Sequence, residues 1–201
     1  MHPILKEVKI LIRPKIYLDP SGDRLNFKSK RVEKARGGEK YFPPTEGWIR
    51  YGLNIKSLYP NVTEWLGKDG NSEEWAVCYH GFKSSQVKLA LLSKLFDKNM
   101  TFNPRFISSK NQVYANDKDI NKKSILYGKP CGMGIFCSAK TELAEENTST
   151  YILDGVKYNL LLQCRVDPTK IRIPLTNPDL FIINSFEHIR PYGILIKEIL
   201  E

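Results

Sequence analysis

The sequence predicts an α+β fold in which strands outnumber helices. Val8–Ile12 is β-branched and apolar, and the longer segments Val156–Val166 and Tyr192–Ile199 are rich in apolar residues and follow turn or proline residues, as strands do. Two segments with helical periodicity, Ser84–Asn99 and Ala139–Asn147, each follow a turn but do not alternate regularly with the strands. Groups of strands with occasional helices favour an α+β fold over alternating βαβ units.

Composition and charge suggest what the chain could bind. Its 201 residues fit one domain or two small ones, and a 41% hydrophobic content suffices for a core without metal or disulfide help. The formal charge is +9, and residues 1–40 hold eleven Lys and Arg against five Asp and Glu. Such a segment favours nucleic acid, acidic protein surfaces or phosphate-bearing ligands, unless it only solubilises the protein.

The sequence contains no pattern typical of a signal peptide or a membrane span, so we expect an intracellular protein, cytoplasmic or nuclear, without a membrane partner. The four cysteines show no CxxC spacing and are expected to be free thiols. With three histidines and scattered cysteines, no metal site is predicted.

The first part of the chain reads as short strands separated by loops. After the Val8–Ile12 strand comes a turn at Asp19–Asp23, and the polar segment Arg24–Lys40 is predicted to be a loop or a mobile arm. Tyr41–Pro44 is an extended aromatic and proline segment that would dock on a surface. The remaining predictions before His80 are a strand with Trp48 inward at Gly47–Ile55, a turn and short helix at Leu58–Leu66, and a strand at Trp75–Val77 that delivers His80 to a turn.

The second part begins with the first helix and a long polar segment, Met100–Lys129, of the kind that is functional or disordered. The second helix is predicted to be capped at Ser138. The predicted strands that follow are Val156–Val166 after an Asp154-Gly155 turn, Thr169–Ile173, Leu180–Asn184 and Tyr192–Ile199.

Three short motifs could form one ligand site. They are Tyr79-His80-Gly81 at a strand end, a glycine-flanked aromatic in Gly132–Ser138, and the strand pair that leads into Ile189–Ile194. A histidine beside an aromatic face suits a planar, sugar-bearing ligand. The phosphate-binding pattern GxGxxG is absent.

In this order the motifs resemble the catalytic domain of poly(ADP-ribose) polymerase-like ADP-ribosyltransferases. That family has a His-Gly-Ser/Thr strand end, a Gly-x-Gly-Ile-Tyr-Phe-Ala segment before a helix, and a late strand that carries a glutamate. The resemblance implies a split antiparallel β-sheet core with a few flanking helices over residues 46–201, with residues 1–45 as a basic extension. The matching segments are Tyr79–Phe82, Gly132–Ser138, Tyr158–Val166, Asp179–Asn184 and Ile189–Ile196.

The resemblance implies NAD as the substrate and a role for particular residues. His80 would bond the adenosine ribose, Gly81 would clamp the nicotinamide carboxamide through its backbone, and Phe136 would stack on the nicotinamide ring. The implied NAD-binding set is His80, Gly81, Phe82, Gly134, Phe136 and Ala144, and the implied catalytic set is His80, Phe136 and Leu180.

Several positions depart from the family pattern. Phe82 replaces a small hydroxyl residue, and Ala144 falls where the family often has a serine. Leu180 falls near the position of the catalytic glutamate, with Asp179 beside it and Glu187 further on. Family members with an aliphatic residue there resemble mono-transferases or inactive forms.

Three functions follow as expectations. The first is an NAD-dependent mono-ADP-ribosyltransferase whose macromolecular acceptor, a nucleic acid or an acidic protein surface, is recruited by the basic segment Arg24–Lys40. The second is an inactive module that binds NAD, ADP-ribose or a partner. The third is an RNA-directed 2′-phosphotransferase relative, for which further histidine and arginine signatures are missing. Arg165 and Arg190 lie in predicted strands and are expected to form structural pairs and not to be phosphate ligands.

Overall fold

A computed structural model describes residues 2–7, 18–28, 30, 32–59, 64–71, 73–81, 125–126, 129–130, 135–174, 177–184 and 186–200. The predicted strand Val8–Ile12, the predicted helix Ser84–Asn99 and most of Met100–Lys129 therefore lie outside the described residues. So do Phe82, Gly134 and Cys131.

The described residues form an α+β fold. Its strands are β1 Lys34–Arg36, β2 Glu39–Tyr41, β3 Trp48–Gly52, β4 Ala76–Gly81, β5 Ile125–Leu126, β6 Lys129–Pro130, β7 Ile135–Ser138, β8 Tyr151–Leu153, β9 Val156–Val166, β10 Ile171–Arg172, β11 Leu180–Ile183 and β12 Ile189–Ile199. The helices are α1 Pro3–Glu7, α2 Ile55–Leu58 and α3 Thr141–Glu145, with 3-10 turns at Pro20–Gly22, Glu64–Leu66, Pro168–Lys170 and Phe186–His188. No described helix is long and apolar enough to cross a membrane.

One antiparallel sheet organises the described part of the chain. Its strand order is β10-β11-β7-β4-β9-β12-β3, with β8 paired to β9. The centre is the long pair β9 and β12, which runs from Ile189 opposite Val166 to Ile199 opposite Lys157, with one irregularity between Pro191 and Gly193. Residues 159–166 of β9 are buried without interruption, so both faces of the sheet centre are covered.

The turn before β9 follows from its two residues. Asp154 and Gly155 have φ values of 51° and 80°, which are the left-handed conformations that a two-residue hairpin turn requires. Aspartate and glycine tolerate this conformation best. The predicted turn at Asp154-Gly155 and the predicted strand Val156–Val166 are both confirmed.

The prediction of a loop or arm over Arg24–Lys40 is wrong for its second half. β1 and β2 form a hairpin whose turn residues, Gly37 and Gly38, have φ values of 55° and 77°. The hairpin packs on β4, where a Cβ on Gly37 would lie 2.5 Å from the Glu74 carbonyl oxygen. Its strands are polar and largely exposed, so they lack the apolar alternation by which strands are recognised.

The adjoining segment docks on the sheet as predicted. Phe42 donates its backbone N–H to the Ala139 carbonyl oxygen, and the Tyr79 hydroxyl donates to the Phe42 carbonyl oxygen at 2.9 Å. Trp48 is buried, as predicted. The Tyr41–Pro44 segment is thereby fixed across β4 and the start of α3.

The second predicted helix is shorter than expected. α3 spans only Thr141–Glu145, and its N-cap residue is Lys140, which makes no side-chain cap bond. Ser138, the predicted cap, still belongs to β7, where it pairs with Leu180. Its hydroxyl accepts the Lys140 N–H at 2.9 Å, so it supports the turn into the helix from the strand.

The late elements shift by a few residues. The predicted strand Thr169–Ile173 is a 3-10 turn, Pro168–Lys170, followed by the two-residue β10. The Asp167 carboxylate accepts the Thr169 N–H, which starts the turn and shortens the strand. The last strand, β12, begins at Ile189 and not at Tyr192.

Candidate functional site

The predicted site lies where two sheet strands separate. β4 and β7 pair at a single position, Tyr79 opposite Ser138, whereas β4 and β9 pair along their whole length. One residue beyond the Tyr79 pair, the His80 imidazole meets the β7 backbone, with Nδ1 lying 2.8 Å from the Phe136 carbonyl oxygen. A side-chain hydrogen bond thus replaces the ladder at the point of separation.

The protonation state of His80 follows from this contact. The side chain is 6% exposed, and burial lowers the pKa of the imidazole although the bond to the Phe136 carbonyl opposes that shift. His80 is therefore neutral at pH 7. A carbonyl oxygen can only accept, so the proton resides on Nδ1 and Nε2 is the acceptor nitrogen. An acceptor nitrogen is what a ribose hydroxyl would donate to.

Gly81 is explained by close packing. A Cβ on Gly81 would lie 2.4 Å from the Ala144 carbonyl oxygen, so the backbone of α3 can approach β4 only because this residue is glycine. Ala144 is itself buried. The structure therefore brings together Gly81 and Ala144, the two residues assigned by the resemblance to the carboxamide, through their backbones.

The Phe136 ring belongs to a small apolar cluster of its own. It is 8% exposed and packs with Leu180 and Ile182 of β11, and with Leu143 of α3. Leu180, the residue near the expected glutamate position, thus lies beside Phe136. The described part of this cluster contains no carboxylate.

The contact joins the imidazole ring of His80 to the backbone carbonyl of Phe136 and not to the Phe136 ring. Phe136 lies two residues before Ser138, which pairs with Tyr79, so the side chains of Phe136 and Tyr79 share one face of the sheet. His80 is the next residue after Tyr79 and points to the other face. The two sequence motifs suggest that His80 and Phe136 belong to one site, but only the pairing register shows which of their groups meet.

The carboxylates near the expected glutamate position have other surroundings. Asp179 forms an ion pair with Lys140, and its carbonyl oxygen accepts the Ala139 N–H, so it fixes the start of α3 against β11. Glu187 is exposed on the 3-10 turn before β12. Neither carboxylate lies in the Phe136 cluster.

The two arginines predicted to be structural have structural contacts. Arg165 is buried and donates to the carbonyl oxygens of Trp75, Leu66 and Gly67. The Arg190 guanidinium lies 4.3 Å from the ring centroid of Trp75, with the rings of Trp65 and Tyr59 also within cation–π range. Both sets of contacts are structural, and Arg165 in addition lines a cavity.

The described cysteines, Cys78, Cys137 and Cys164, are buried free thiols, as predicted. Burial, together with hydrogen bonds to the other two thiols, raises the pKa of Cys78. All three therefore behave as apolar core residues and not as nucleophiles. Within the described ranges, no group of three or more His, Cys, Asp or Glu side chains could hold a metal ion.

Sequence reasoning missed a second site. A cavity of about 210 Å³ is lined by six cationic side chains that are spread over the chain from Arg24 to Arg165. Only three of them, Arg24, Lys34 and Arg36, lie in the basic segment that composition singled out. Arg50 and Lys68 carry no motif, and only the fold brings them together.

A comparison with models of known protein families gave no match, and neither did a search among curated proteins.

Proposed function

We propose that the chain is an NAD-dependent mono-ADP-ribosyltransferase that transfers ADP-ribose from NAD to a protein or nucleic-acid acceptor. The observation that carries the proposal is the hydrogen bond between His80 Nδ1 and the Phe136 carbonyl oxygen at the separation of β4 and β7. It joins the two motifs that the family resemblance assigns to NAD. It also leaves the imidazole neutral, with Nε2 as the acceptor nitrogen.

The roles of the residues follow from that arrangement. Nε2 of His80 would accept a ribose hydroxyl, and the backbone of Gly81 would bond the carboxamide. Because the His80 and Phe136 side chains lie on opposite faces of the sheet, NAD would have to bind across the opening where β4 and β7 separate. Phe136 would offer its ring to the nicotinamide, for which the Leu180 and Leu143 side chains must yield, because the ring is 8% exposed. Binding NAD would therefore include a rearrangement of this small cluster.

The chemistry would depend on the substrate more than on a protein base. Cleavage of the nicotinamide–ribose bond passes through an oxocarbenium-like state, which the site would favour by holding NAD in a strained conformation. Leu180 cannot polarise an acceptor hydroxyl, and Asp179 is paired with Lys140. The acceptor would therefore have to be a good nucleophile by itself, which suits transfer of a single unit and not chain elongation.

Labelling with radioactive NAD in a cell lysate tests the proposal. His80→Asn is the informative variant, because its amide can still donate to the Phe136 carbonyl while the Nε2 acceptor is lost. We expect wild type to transfer label and His80→Asn to lose nearly all transfer while it stays folded. His188→Asn is the matched control on another surface. Equal labelling by wild type and His80→Asn would refute the role of His80.

A binding module without turnover is the second candidate, and Leu180 favours it. The residue is buried and aliphatic, so it cannot take the role of the family's catalytic glutamate. Calorimetry with NAD, combined with an assay of nicotinamide release, separates the two functions. NAD binding without release over hours would establish the module, whereas steady release would exclude it.

We also propose that the protein is intracellular. Three buried thiols without a disulfide support this location, because disulfides form in oxidising compartments and are rare in reducing ones.

A further inference from the structure

The cavity missed by sequence reasoning concentrates positive charge. Its volume is about 210 Å³, and none of the described residues that line it is an aspartate or a glutamate. Polar and aromatic side chains complete it, among them Gln163, Tyr41 and Tyr192. Its six cationic side chains are Arg24, Lys34, Arg36, Arg50, Lys68 and Arg165.

The innermost cation is held in place by neutral groups. Arg165 is 3% exposed, and its terminal nitrogens donate to backbone carbonyl oxygens. Its Nε is buried and has no hydrogen-bond partner among the described residues. A buried guanidinium nitrogen without an acceptor is costly. Burial also lowers the pKa of Arg165, which shows that the charge is poorly solvated there.

Arg50 is fixed in the same way. Its Nε and Nη2 both donate to the Gly22 carbonyl oxygen, at 2.9 and 2.6 Å, and Nη1 donates to Gln163 Oε1 at 3.2 Å. These partners orient the guanidinium without neutralising it. Lys34 and Lys68 are exposed at the rim, where a charged ligand would first meet them.

A buried carboxylate, Glu74, lies close to two of these cations. Glu74 is buried, and although burial opposes its ionisation, hydrogen bonds from the backbone of Gly70 and Asp69 and the charges of Arg36 and Arg165 lower its pKa. Glu74 is thus a carboxylate that offsets a small part of six positive charges. The cavity keeps a net positive charge.

We propose that this cavity binds a phosphate group, carried either by a small phosphorylated molecule or by a nucleic-acid backbone. A phosphate brings negative charge and several acceptor oxygens, which fit fixed guanidinium groups and mobile lysines together. Of the predicted NAD-site residues that the structure describes, none lines the cavity. This second site therefore goes beyond the proposed transferase activity and does not depend on it.

Calorimetry at low salt tests the cavity with two probes, inorganic pyrophosphate and a short single-stranded oligonucleotide. Lys34→Ser/Lys68→Ser removes two rim charges of the cavity, and Lys56→Ser/Lys170→Ser removes two exposed lysines elsewhere. We expect the first variant to bind at least one probe about tenfold more weakly than wild type and the second to bind within about twofold. Both variants change the net charge equally, so only position distinguishes them.

The outcomes separate the sources of the phosphate. Tight pyrophosphate binding that is lost in Lys34→Ser/Lys68→Ser identifies a small phosphorylated ligand, and oligonucleotide binding alone with the same loss identifies a nucleic-acid backbone. Equal weakening in both variants, or no binding of either probe at about millimolar concentration, would overturn the proposal. Release of nicotinamide from NAD, which does not depend on recruitment of a macromolecular acceptor, should be the same in Lys34→Ser/Lys68→Ser and wild type, so failure of the transferase proposal would be recognised separately.

Discussion

One face of the sheet carries two regions of opposite character. On β7 and β11, the ring of Phe136 packs among aliphatic side chains. On β4, β9, β12 and β3, the same face opens into a cavity with Arg165 and Arg50 at its floor. The first region suits a flat, uncharged ring and the second suits an anion. A ligand that contacts both regions would have to cross the Tyr41–Pro44 segment. This segment lies between the two regions and accepts a hydrogen bond from the Tyr79 hydroxyl.

The largest expected effect is the loss of stability when the Phe136 ring is removed from the apolar region. Phe136→Ala removes a buried ring from its contacts with Leu180 and Ile182, so the free energy of unfolding should fall by about 3–5 kcal/mol in urea titrations. Leu25→Ala, at a residue 61% exposed, should change it by no more than about 0.5 kcal/mol. A loss below about 1 kcal/mol for Phe136→Ala would show that the ring is not packed in this cluster.

The next effect is a difference in stability between variants of Gly81, which is closely packed, and of Gly155, which lies in a turn. Gly81→Ala would place a Cβ 2.4 Å from the Ala144 carbonyl oxygen, so α3 must shift, and the free energy of unfolding should fall by about 3 kcal/mol. Gly155→Ala has open space but a φ of 80°, and should cost about 1 kcal/mol. Equal losses in thermal unfolding of the two variants would contradict the close approach of α3 to β4.

Sequence and structure agree best where local chemistry decides the element. Val156–Val166 is rich in apolar residues and preceded by Asp-Gly, so pattern and turn predict the same strand that is observed. The hairpin of β1 and β2 was missed because its residues are charged and its stability comes from docking on β4. Only the Gly37-Gly38 pair could have indicated it.

The predicted NAD site and the cationic cavity also differ in how far the sequence reveals them. Phe136, Gly81 and His80 lie in motifs, so the resemblance predicted that they come together, and the structure adds the register that joins His80 to a carbonyl. The cavity could not be predicted, because Arg50 and Arg165 are far apart in sequence and meet only through the order of β3, β12 and β9. Long-range pairing carries information that a single sequence does not display.

Acid should affect the two regions in different pH ranges. The pKa of His80 is lowered below its usual value of 6.5, so the unfolded state binds the proton more readily and stability should fall as pH drops below about 6.5. The pKa of Glu74 is also lowered, so its contribution is lost only below about pH 4.5. Unfolding measured from pH 7.5 to 3 should show both phases.

Single substitutions show which residue causes the upper phase of the pH dependence. His80→Asn should flatten the upper phase and leave the lower one. His2 also has a lowered pKa, chiefly through burial, so His2→Asn is measured in parallel and should remove a smaller part of the upper phase because His2 is only half-buried. An upper phase that is unchanged in His80→Asn would contradict the neutral, buried imidazole.

The smallest effect concerns the cationic region without a ligand. Lys34→Ser/Lys68→Ser relieves repulsion among the cavity charges, so in low salt it should raise the free energy of unfolding by a few tenths of a kcal/mol, up to about 0.5 kcal/mol. Added salt should abolish the gain by screening. Destabilisation by this variant in low salt would show that the cavity charges are compensated in the free protein.

The most direct test of the account measures NAD affinity by calorimetry in wild type, His80→Asn and Lys34→Ser/Lys68→Ser. The account predicts that His80→Asn binds NAD at least about tenfold more weakly, the equivalent of about 1.4 kcal/mol, because one ribose acceptor is lost. Lys34→Ser/Lys68→Ser should bind NAD as wild type does, because the cavity is a separate site. The reverse pattern, with NAD affinity lost in the lysine variant and kept in His80→Asn, would contradict both assignments.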